Sequence, residues 1–137
     1  MTYTICGTPE YLAPEVIRQE GHGKACDWWS LGTLLYEMYS GRPPFQNKNK
    51  MQLLYTIATK SIDFSKIKPA SPELYNLIRR LLTHDPNKRL GGTEKDAEDI
   101  KNHAFFSGFD WKALEDKSLS PPFKPNLNDE SDLGNID

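Results

Sequence analysis

Residues 25–40 read Ala-Cys-Asp-Trp-Trp-Ser-Leu-Gly-Thr-Leu-Leu-Tyr-Glu-Met-Tyr-Ser. Folded as a helix, this stretch carries apolar side chains around almost its whole circumference. Asp27 can cap the helix at its start, and Gly41 followed by Pro43 and Pro44 ends it. A helix that is apolar on every side is typical of the centre of a domain, so we predict a central core helix here.

Two more helices are predicted further along the chain. The first runs from about residue 50 to residue 59 and carries one apolar stripe, formed by Met51, Leu54, Tyr55 and Ala58. The second has a clear start, because Ser71 is a good cap and Pro72 suits the first helical position. Apolar residues at helical spacing continue it, and it ends before Pro86.

The C-terminal part of the sequence contains a short predicted helix, then a group of aromatic residues, and then a proline-rich and acidic tail. A short helix around residues 97–103 leads into aromatic residues that we interpret as core, namely Phe105, Phe106, Phe109 and Trp111. From Ser118 the chain is proline-rich and then polar and acidic, which predicts an extended tail that lies along another surface or stays disordered. No alternating strand pattern appears, so the fold class is mainly α.

Composition limits the function classes. The 137 residues include 17 Lys plus Arg against 19 Asp plus Glu, which gives no electrostatic case for nucleic-acid binding. The longest apolar stretch is too short and too polar for a membrane span, and the N-terminus lacks the pattern of a signal peptide. Cys6 and Cys26 have no metal-like spacing, so we expect reduced thiols in the cytoplasm or also the nucleus.

The block 4–15 reads Thr-Ile-Cys-Gly-Thr-Pro-Glu-Tyr-Leu-Ala-Pro-Glu. It resembles the end of a protein-kinase activation segment, with Ala13-Pro14-Glu15 as the Ala-Pro-Glu motif. Further motifs of that family follow in the expected order: Asp27-Trp28-Trp29-Ser30-Leu31-Gly32, Leu35-Tyr36-Glu37-Met38, Gly41-Arg42-Pro43-Pro44-Phe45 and Asp85-Pro86-Asn87-Lys88-Arg89-Leu90-Gly91. A lone Ala-Pro-Glu is a weak signal, whereas ordered motifs over nearly the whole chain are a strong one.

The chain further resembles the AGC group of serine/threonine kinases. The similarity lies in residues 4–15, in Asp99-Ile100-Lys101-Asn102-His103 and in Ser120-Pro121-Pro122-Phe123-Lys124-Pro125, and the tail looks most like the protein kinase B, ribosomal S6 kinase and serum/glucocorticoid-regulated kinase branch. The resemblance implies part of the C-terminal helical lobe of the kinase fold in residues 1–109. It implies a partial AGC C-terminal tail in residues 110–137.

The resemblance also assigns roles around the activation segment. Thr4 matches the phosphate acceptor, where a phosphate can order the loop by pairing with Arg; the alternative is an exposed loop threonine. Matches to substrate-binding positions are Ile5, Thr8, Pro9, Glu10, Leu12 and Glu37. Thr8 matches a hydroxyl that contacts a catalytic Asp and Lys absent from this sequence, and its alternative role is a turn hydroxyl.

Apolar and acidic members of that set have different expected roles. Ile5, Pro9 and Leu12 match the wall of a pocket for an apolar residue just after the acceptor, and ordinary loop packing is compatible with that role. Glu10 and Glu37 match carboxylates that bind Arg upstream of the acceptor through charge-assisted hydrogen bonds. A glutamate on a helix is usually just solvated, but Glu37 belongs to an otherwise apolar helix.

Three residues match structural positions. Glu15 and Arg89 match a buried ion pair that ties the activation segment to later helices. Asp27 matches a carboxylate that accepts backbone N–H groups from the catalytic loop. Without that loop, Asp27 is expected to be either a simple helix cap or an unsatisfied buried charge.

The resemblance implies a transferase that moves the ATP γ-phosphate to Ser or Thr of proteins with basic residues before the acceptor, and an upstream kinase that acts on Thr4. ATP and Mg²⁺ need a Gly-rich loop, a Lys–Glu pair, a His-Arg-Asp loop and a metal-binding Asp. None of these lies in the 137 residues, so we expect no catalytic residue, no metal ligand and no activity of this chain alone. The alternatives are a non-catalytic helical interaction module and a chain that does not fold stably by itself.

Overall fold

The computed structural model of the protein describes residues 9–21 and 23–117. These residues form helices and connecting loops, with no strand among them, which confirms the prediction of a mainly helical fold. The α-helices are α1 (Pro14–Ile17), α2 (Lys24–Ser40), α3 (Lys50–Thr59), α4 (Pro72–Leu81), α5 (Ala97–Lys101) and α6 (Trp111–Glu115). Short 3-10 turns occupy Pro9–Tyr11, Ser65–Ile67 and Ala104–Phe106.

The described chain divides after Ser107 into two units. The first contains α1 to α5. The second contains α6, which begins where the side chain of Asp110 accepts a hydrogen bond of 2.9 Å from the Ala113 backbone N–H. Within this unit the rings of Phe109 and Trp111 lie 4.6 Å apart. The assignment of residues 110–137 to an AGC tail stays a prediction.

Helix α2 ends as its sequence predicts. Gly41 adopts a left-handed conformation with φ of 91°, and its N–H donates to the Glu37 carbonyl at 2.7 Å. Glycine tolerates this φ without steric cost, so it closes the helix as a C-terminal cap. At the other end α2 starts at Lys24, with Gly23 as the N-cap.

Only one face of α2 is buried, so the prediction of all-round burial is wrong for this structure. The buried residues are Trp29, Gly32, Thr33 and Tyr36. Leu34 and Tyr39 are each 42% exposed and Met38 is 72% exposed. The described helices pack against one side of α2, which leaves the opposite apolar side at the surface.

Gly32 allows the closest approach in the core. A Cβ at this position would lie 2.8 Å from the Cβ of Leu81 and 3.0 Å from side-chain atoms of Leu82. Helices α2 and α4 therefore meet at a separation that a larger residue would not permit. Their contact joins two groups of buried residues. One lies around α1, α2 and α3, and the other is formed by Leu77, Leu81, Leu90 and Ile100.

Helix α3 has the predicted bounds but not the predicted buried face. Its first turn is capped by Asn49, whose side-chain oxygen accepts a hydrogen bond from the Gln52 backbone N–H. Leu53 and Ile57 are buried, while Met51 and Tyr55 of the predicted stripe are 74% and 64% exposed. Apolar residues occur on both sides of α3, and packing against α1 and the Pro9–Tyr11 turn selects one of them.

Helix α4 matches its prediction at both ends. The hydroxyl of Ser71 accepts a hydrogen bond of 3.2 Å from the Leu74 backbone N–H, and Pro72 occupies the first turn. Leu77, Ile78 and Leu81 are the buried residues of the helix. A strong cap and a narrow apolar stripe were both visible in the sequence, which is why this helix was predictable.

His103 links α4 to the turn that follows α5. A backbone N–H can only donate, so the 3.0 Å bond from the Phe105 N–H makes Nδ1 the acceptor. The neutral ring then carries its proton on Nε2 and donates to the Asn76 side-chain oxygen at 2.7 Å. Burial, and then the charge of Arg80, lower the pKa of His103 below its ordinary value.

The aromatic residues after α5 are less buried than predicted. Phe105 and Phe109 are 40% and 43% exposed, so their interpretation as core is wrong. Phe106 is partly buried against the second group of buried residues. The rings of Phe105 and Phe106 meet edge to face, with their centroids 5.0 Å apart.

Candidate functional site: the segment before and within α1

The segment from Pro9 to Glu15 turns sharply and enters α1. Pro9–Tyr11 is a 3-10 turn, closed by the Leu12 N–H donating to the Pro9 carbonyl at 3.2 Å. The Ser30 hydroxyl on α2 donates to the Tyr11 carbonyl at 3.0 Å and fixes the turn to the central helix. Pro9 and Leu12 are partly buried, and Leu12 packs against the core.

Glu37 is bound by Tyr11. The Tyr11 hydroxyl donates a hydrogen bond to Oε1 of Glu37, and this bond connects the Pro9–Tyr11 turn to α2. The hydrogen bond to Glu37, burial and the charges of Glu37 and Glu10 raise the pKa of Tyr11 above its ordinary value, so the phenol stays protonated and able to donate. Within the described residues Oε2 of Glu37 receives no hydrogen bond, which leaves this oxygen able to accept one.

Glu10 is the second carboxylate of the turn. Its Oε2 is shielded from solvent and has no hydrogen-bond partner within residues 9–21 and 23–117. A shielded acceptor without a donor carries an unrecovered desolvation cost, so a new donor would be bound favourably there. Glu10 also lines a cavity of about 360 Å³ together with Gln46, Asn47 and Lys48.

Glu15 and Arg89 form a bidentate ion pair. Nη1 and Nη2 of Arg89 donate to the two carboxylate oxygens at 2.7 and 2.9 Å. Both residues are buried, with 3% of Glu15 and 1% of Arg89 exposed. The pair lies at the base of the segment and joins α1 to the loop after α4.

The remaining donors of Arg89 are also satisfied. Nε donates to the Thr83 carbonyl at 2.8 Å, Nη1 to the Ala25 carbonyl at 2.8 Å and Nη2 to the His84 carbonyl at 3.2 Å. With the two bonds to Glu15, all the N–H groups of the guanidinium have acceptors. Its carbon Cζ lies 5.1 Å from the centroid of the Trp29 ring, a cation–π distance.

Comparison with known proteins places this arrangement in a family. Residues 1–106 match the family model for the protein kinase domain. The chain belongs to the protein kinase family. It is 44% identical over 136 residues to the mouse (Mus musculus) protein named cAMP-dependent protein kinase catalytic subunit PRKX. It is 43% identical over 136 residues to the human (Homo sapiens) protein of the same name.

These matches cover 99% of this chain but 38% of the mouse relative and 37% of the human one. The chain therefore spans less than two fifths of the length of the curated relatives that it matches. The predicted resemblance to AGC-group serine/threonine kinases is confirmed by these relatives. Its assignment to one branch of the group stays a prediction.

The structure of this kinase chain corrects the expectation for Asp27. Helix α2 already starts at Lys24, so Asp27 lies within its first turn and is neither its N-cap nor buried. Its carboxylate accepts a long contact of 3.8 Å from the Cys26 thiol. Burial, and then the Asp27 charge, raise the pKa of Cys26 to about 11, so this thiol is protonated at neutral pH.

Three predicted site residues, Thr4, Ile5 and Thr8, lie outside the described residues, as does the tail from Ser118. Sequence reasoning also missed two features of the site. Tyr11 was part of the quoted motif, but its bond to Glu37 depends on how the turn packs on α2. The polar loop at residues 46–48 had no motif that would separate it from an ordinary surface loop.

Two classes of site receive no support from the described residues. Across residues 9–21 and 23–117, no cluster of three or more His, Cys, Asp or Glu side chains could hold a metal ion. In the same part of the chain, no helix combines the length and apolar character that crossing a membrane requires.

Proposed function

We propose that this chain supplies the substrate-docking part of a serine/threonine protein kinase that phosphorylates Arg-containing proteins. The observation that carries the proposal is the arrangement of Glu37, which Tyr11 holds in place through one oxygen while the other receives no hydrogen bond from the residues that the structure describes. The charge of Glu10 also acts on the Tyr11 hydroxyl and helps to raise its pKa, so Glu10 lies in the neighbourhood of this hydroxyl. A substrate guanidinium, with several N–H donors, would bind such a pair of acceptors.

The other predicted residues divide between docking and support. Pro9 and Leu12, with Ile5, would form the apolar wall for the residue after the acceptor, and Thr8 would contact catalytic groups elsewhere in the kinase. Thr4 would be phosphorylated by an upstream kinase. Glu15 and Arg89 would hold the segment against the loop after α4, because their buried bidentate pair leaves the base of the segment little freedom.

In the whole kinase, we propose, ATP donates its γ-phosphate with the help of Mg²⁺, and residues outside this sequence hold both. This chain by itself would then bind substrate without phosphorylating it. We propose a cytoplasmic or nuclear location, protein substrates and no nucleic-acid partner. The second candidate is a non-catalytic helical module that binds kinase substrates or partners. The same carboxylates support it. It differs from the first candidate in that the chain would not be part of an active kinase.

Peptide binding tests the docking function. A fluorescent serine peptide with Arg upstream of the acceptor is titrated with the 137-residue chain, and its anisotropy is followed. We expect Glu37→Gln to weaken binding by about tenfold or more, because a charge-assisted hydrogen bond contributes about 1.5–3 kcal/mol. Glu73→Gln is the matched control, since Glu73 is exposed at the start of α4 and should leave binding unchanged.

Two outcomes would contradict the proposal in different ways. Equal affinity of the unchanged chain and Glu37→Gln would refute the docking role of Glu37. Transfer of labelled phosphate from ATP to the peptide by the purified chain alone would refute the proposed inactivity, provided that the transfer follows the chain through purification and is lost when the chain is removed by antibody.

A further inference from the structure

Residues 60–80 form a positively charged stretch on a chain that is negative as a whole. They contain five Lys or Arg and two Asp or Glu, whereas the complete chain has a net charge of -2. Lys66, Lys68 and Arg79 are exposed, and none of them forms an ion pair with another residue that the structure describes. Cations that are concentrated in this way attract an anionic partner.

Arg79 is held against two aromatic rings. Its guanidinium carbon Cζ lies 5.3 Å from the centroid of the Phe64 ring and 5.7 Å from that of the Tyr75 ring, which are cation–π distances. The two rings meet edge to face with their centroids 6.4 Å apart, and both pack against the buried residues around α1, α2 and α3. The guanidinium has no carboxylate partner in the described part of the chain, so it can bind one through two parallel hydrogen bonds.

A small cavity lies beside the same Tyr75 ring. It has a volume of about 280 Å³ and is lined by Lys68, Ala70, Pro72 and Tyr75. Drug-sized ligands occupy pockets of about 300–1,000 Å³, so this cavity is better matched to one apolar side chain. Because Tyr75 belongs both to the cavity and to the ring pair that Arg79 contacts, one ligand can reach both. We call these five residues, with Arg79 included, the Tyr75 surface.

The two acidic side chains of the stretch do not pair with its cations. Asp63 accepts a hydrogen bond of 2.9 Å from the Ser65 N–H. Hydrogen bonds from Ser65, and to a smaller extent the charges of Lys66 and Lys68, lower the pKa of the Asp63 carboxyl below its ordinary value. Within the described residues neither Asp63 nor Glu73 forms an ion pair, so the cations stay available to an outside carboxylate.

An acidic protein segment with one apolar side chain fits this surface best. Its carboxylates would bind Arg79 and Lys68, while the apolar side chain would enter the cavity. An anionic membrane fits less well, because membrane binding also needs apolar side chains that protrude and insert between lipids. Phe64 and Tyr75 do not protrude in this way, since both are partly buried against the core.

We propose that the Tyr75 surface is a docking site for a short acidic segment of another protein, anchored by one apolar side chain. This inference goes beyond the proposed substrate docking, which uses the carboxylates of the Pro9–Tyr11 turn and α2. The two sites attract opposite charges, so one can be present without the other.

Peptide binding at low salt tests the proposal. Fluorescent peptides contain Glu-Glu-Leu-Glu-Glu, the uncharged Gln-Gln-Leu-Gln-Gln or the anchorless Glu-Glu-Ser-Glu-Glu, and each is titrated with the 137-residue chain. We expect the uncharged peptide to bind about 2- to 30-fold more weakly than the first, the range of two exposed ion pairs. Loss of the Leu should weaken binding about tenfold or more, because its burial in the cavity is lost. Added salt should weaken binding of the charged peptides.

Neutralising variants locate the site. Lys68→Gln and Arg79→Gln should each weaken binding of Glu-Glu-Leu-Glu-Glu by about 1.4- to fivefold. Lys68→Gln leaves the ring contacts of Arg79 in place, so its effect reports the lost charge alone. Lys50→Gln is the matched control, since Lys50 is exposed at the start of α3 and does not line the cavity, and it should leave the affinity nearly unchanged.

The outcomes are distinct from those of the substrate assay. A loss confined to Lys68→Gln and Arg79→Gln, with unchanged urea midpoints, supports the proposal. Failure of Glu-Glu-Leu-Glu-Glu to bind, or an equal loss in Lys68→Gln and Lys50→Gln, overturns it and leaves the binding of Arg peptides unaffected. Vesicles of phosphatidylcholine and phosphatidylserine complete the test, because binding to them without binding to any acidic peptide would assign the surface to a membrane and also overturn the proposal.

Discussion

Replacement of Glu15 by glutamine removes one charge from the buried pair and changes little else in shape. Arg89, with 1% of its surface exposed, keeps its positive charge and loses two hydrogen bonds of 2.7 and 2.9 Å to a carboxylate. One of the two oxygens becomes an amide N–H₂ that faces a guanidinium donor. The three backbone carbonyls that remain around Arg89 carry only partial charge and do not neutralise it.

The magnitude follows from the burial of both partners. Removing one partner of a buried pair costs about 3–5 kcal/mol, because the other charge stays uncompensated in a low-dielectric site. A domain has about 5–15 kcal/mol of stability in total, so Glu15→Gln should remove a large share of it. We expect a matching fall in the urea midpoint with an unchanged slope.

Urea unfolding followed by tryptophan fluorescence measures this loss, since the Trp29 ring lies 5.1 Å from Arg89. The matched control is Glu20→Gln. Glu20 pairs with Arg18 at 3.1 Å, but the two side chains are 55% and 37% exposed, so the control should lose less than about 1 kcal/mol. If Glu15→Gln and Glu20→Gln lose the same free energy of unfolding, the structural role of the buried pair is refuted.

Two further predictions concern the packing against α4. Because the pKa of His103 is lowered in the folded state, its contribution to stability is complete above the unfolded value of about 6.5 and is lost as pH falls through the folded pKa. His103→Asn, which keeps a cap acceptor, should flatten the fall in urea midpoint between about pH 7.5 and 5.5; an unchanged fall would argue against His103 as its source. Gly32→Ala should cost about 1–3 kcal/mol of unfolding free energy, since its Cβ would meet Leu81 at 2.8 Å, whereas Gly23→Ala meets no atom within 4 Å and serves as the control in the same urea assay.

The bounds of a helix could be predicted where residues within a single turn of chain determine them. Ser71 and Pro72 start α4 because the cap and the fixed proline φ act within one turn of chain. Gly41 ends α2 for an equally local reason, its left-handed φ of 91°. Helix bounds of this kind could be predicted from the sequence alone.

Burial could not be predicted in the same way, because it depends on neighbours. Met51 and Tyr55 form as plausible a stripe on α3 as Leu53 and Ile57, yet the latter pair is buried by the packing of α1 and the Pro9–Tyr11 turn. The error at Asp27 has a related cause. The helix extends back to Lys24, and Gly23 rather than an aspartate precedes its first turn.

The candidate site depends both on local sequence, which could be read in advance, and on packing between distant segments, which could not. Glu37 illustrates this. The motif order was enough to select Glu37 as a carboxylate on an otherwise apolar helix. It could not reveal that Tyr11, 26 residues earlier, binds one of its oxygens. That bond gives a reason for a glutamate to be stable on this helix, because a partly buried charge needs a hydrogen-bond donor. It also restricts the rotation of the carboxylate, so an incoming guanidinium would meet an acceptor already in position. If Glu37 docks substrate as proposed, the same hydrogen bond serves both its stability and its docking role, and loss of Tyr11 should weaken both together.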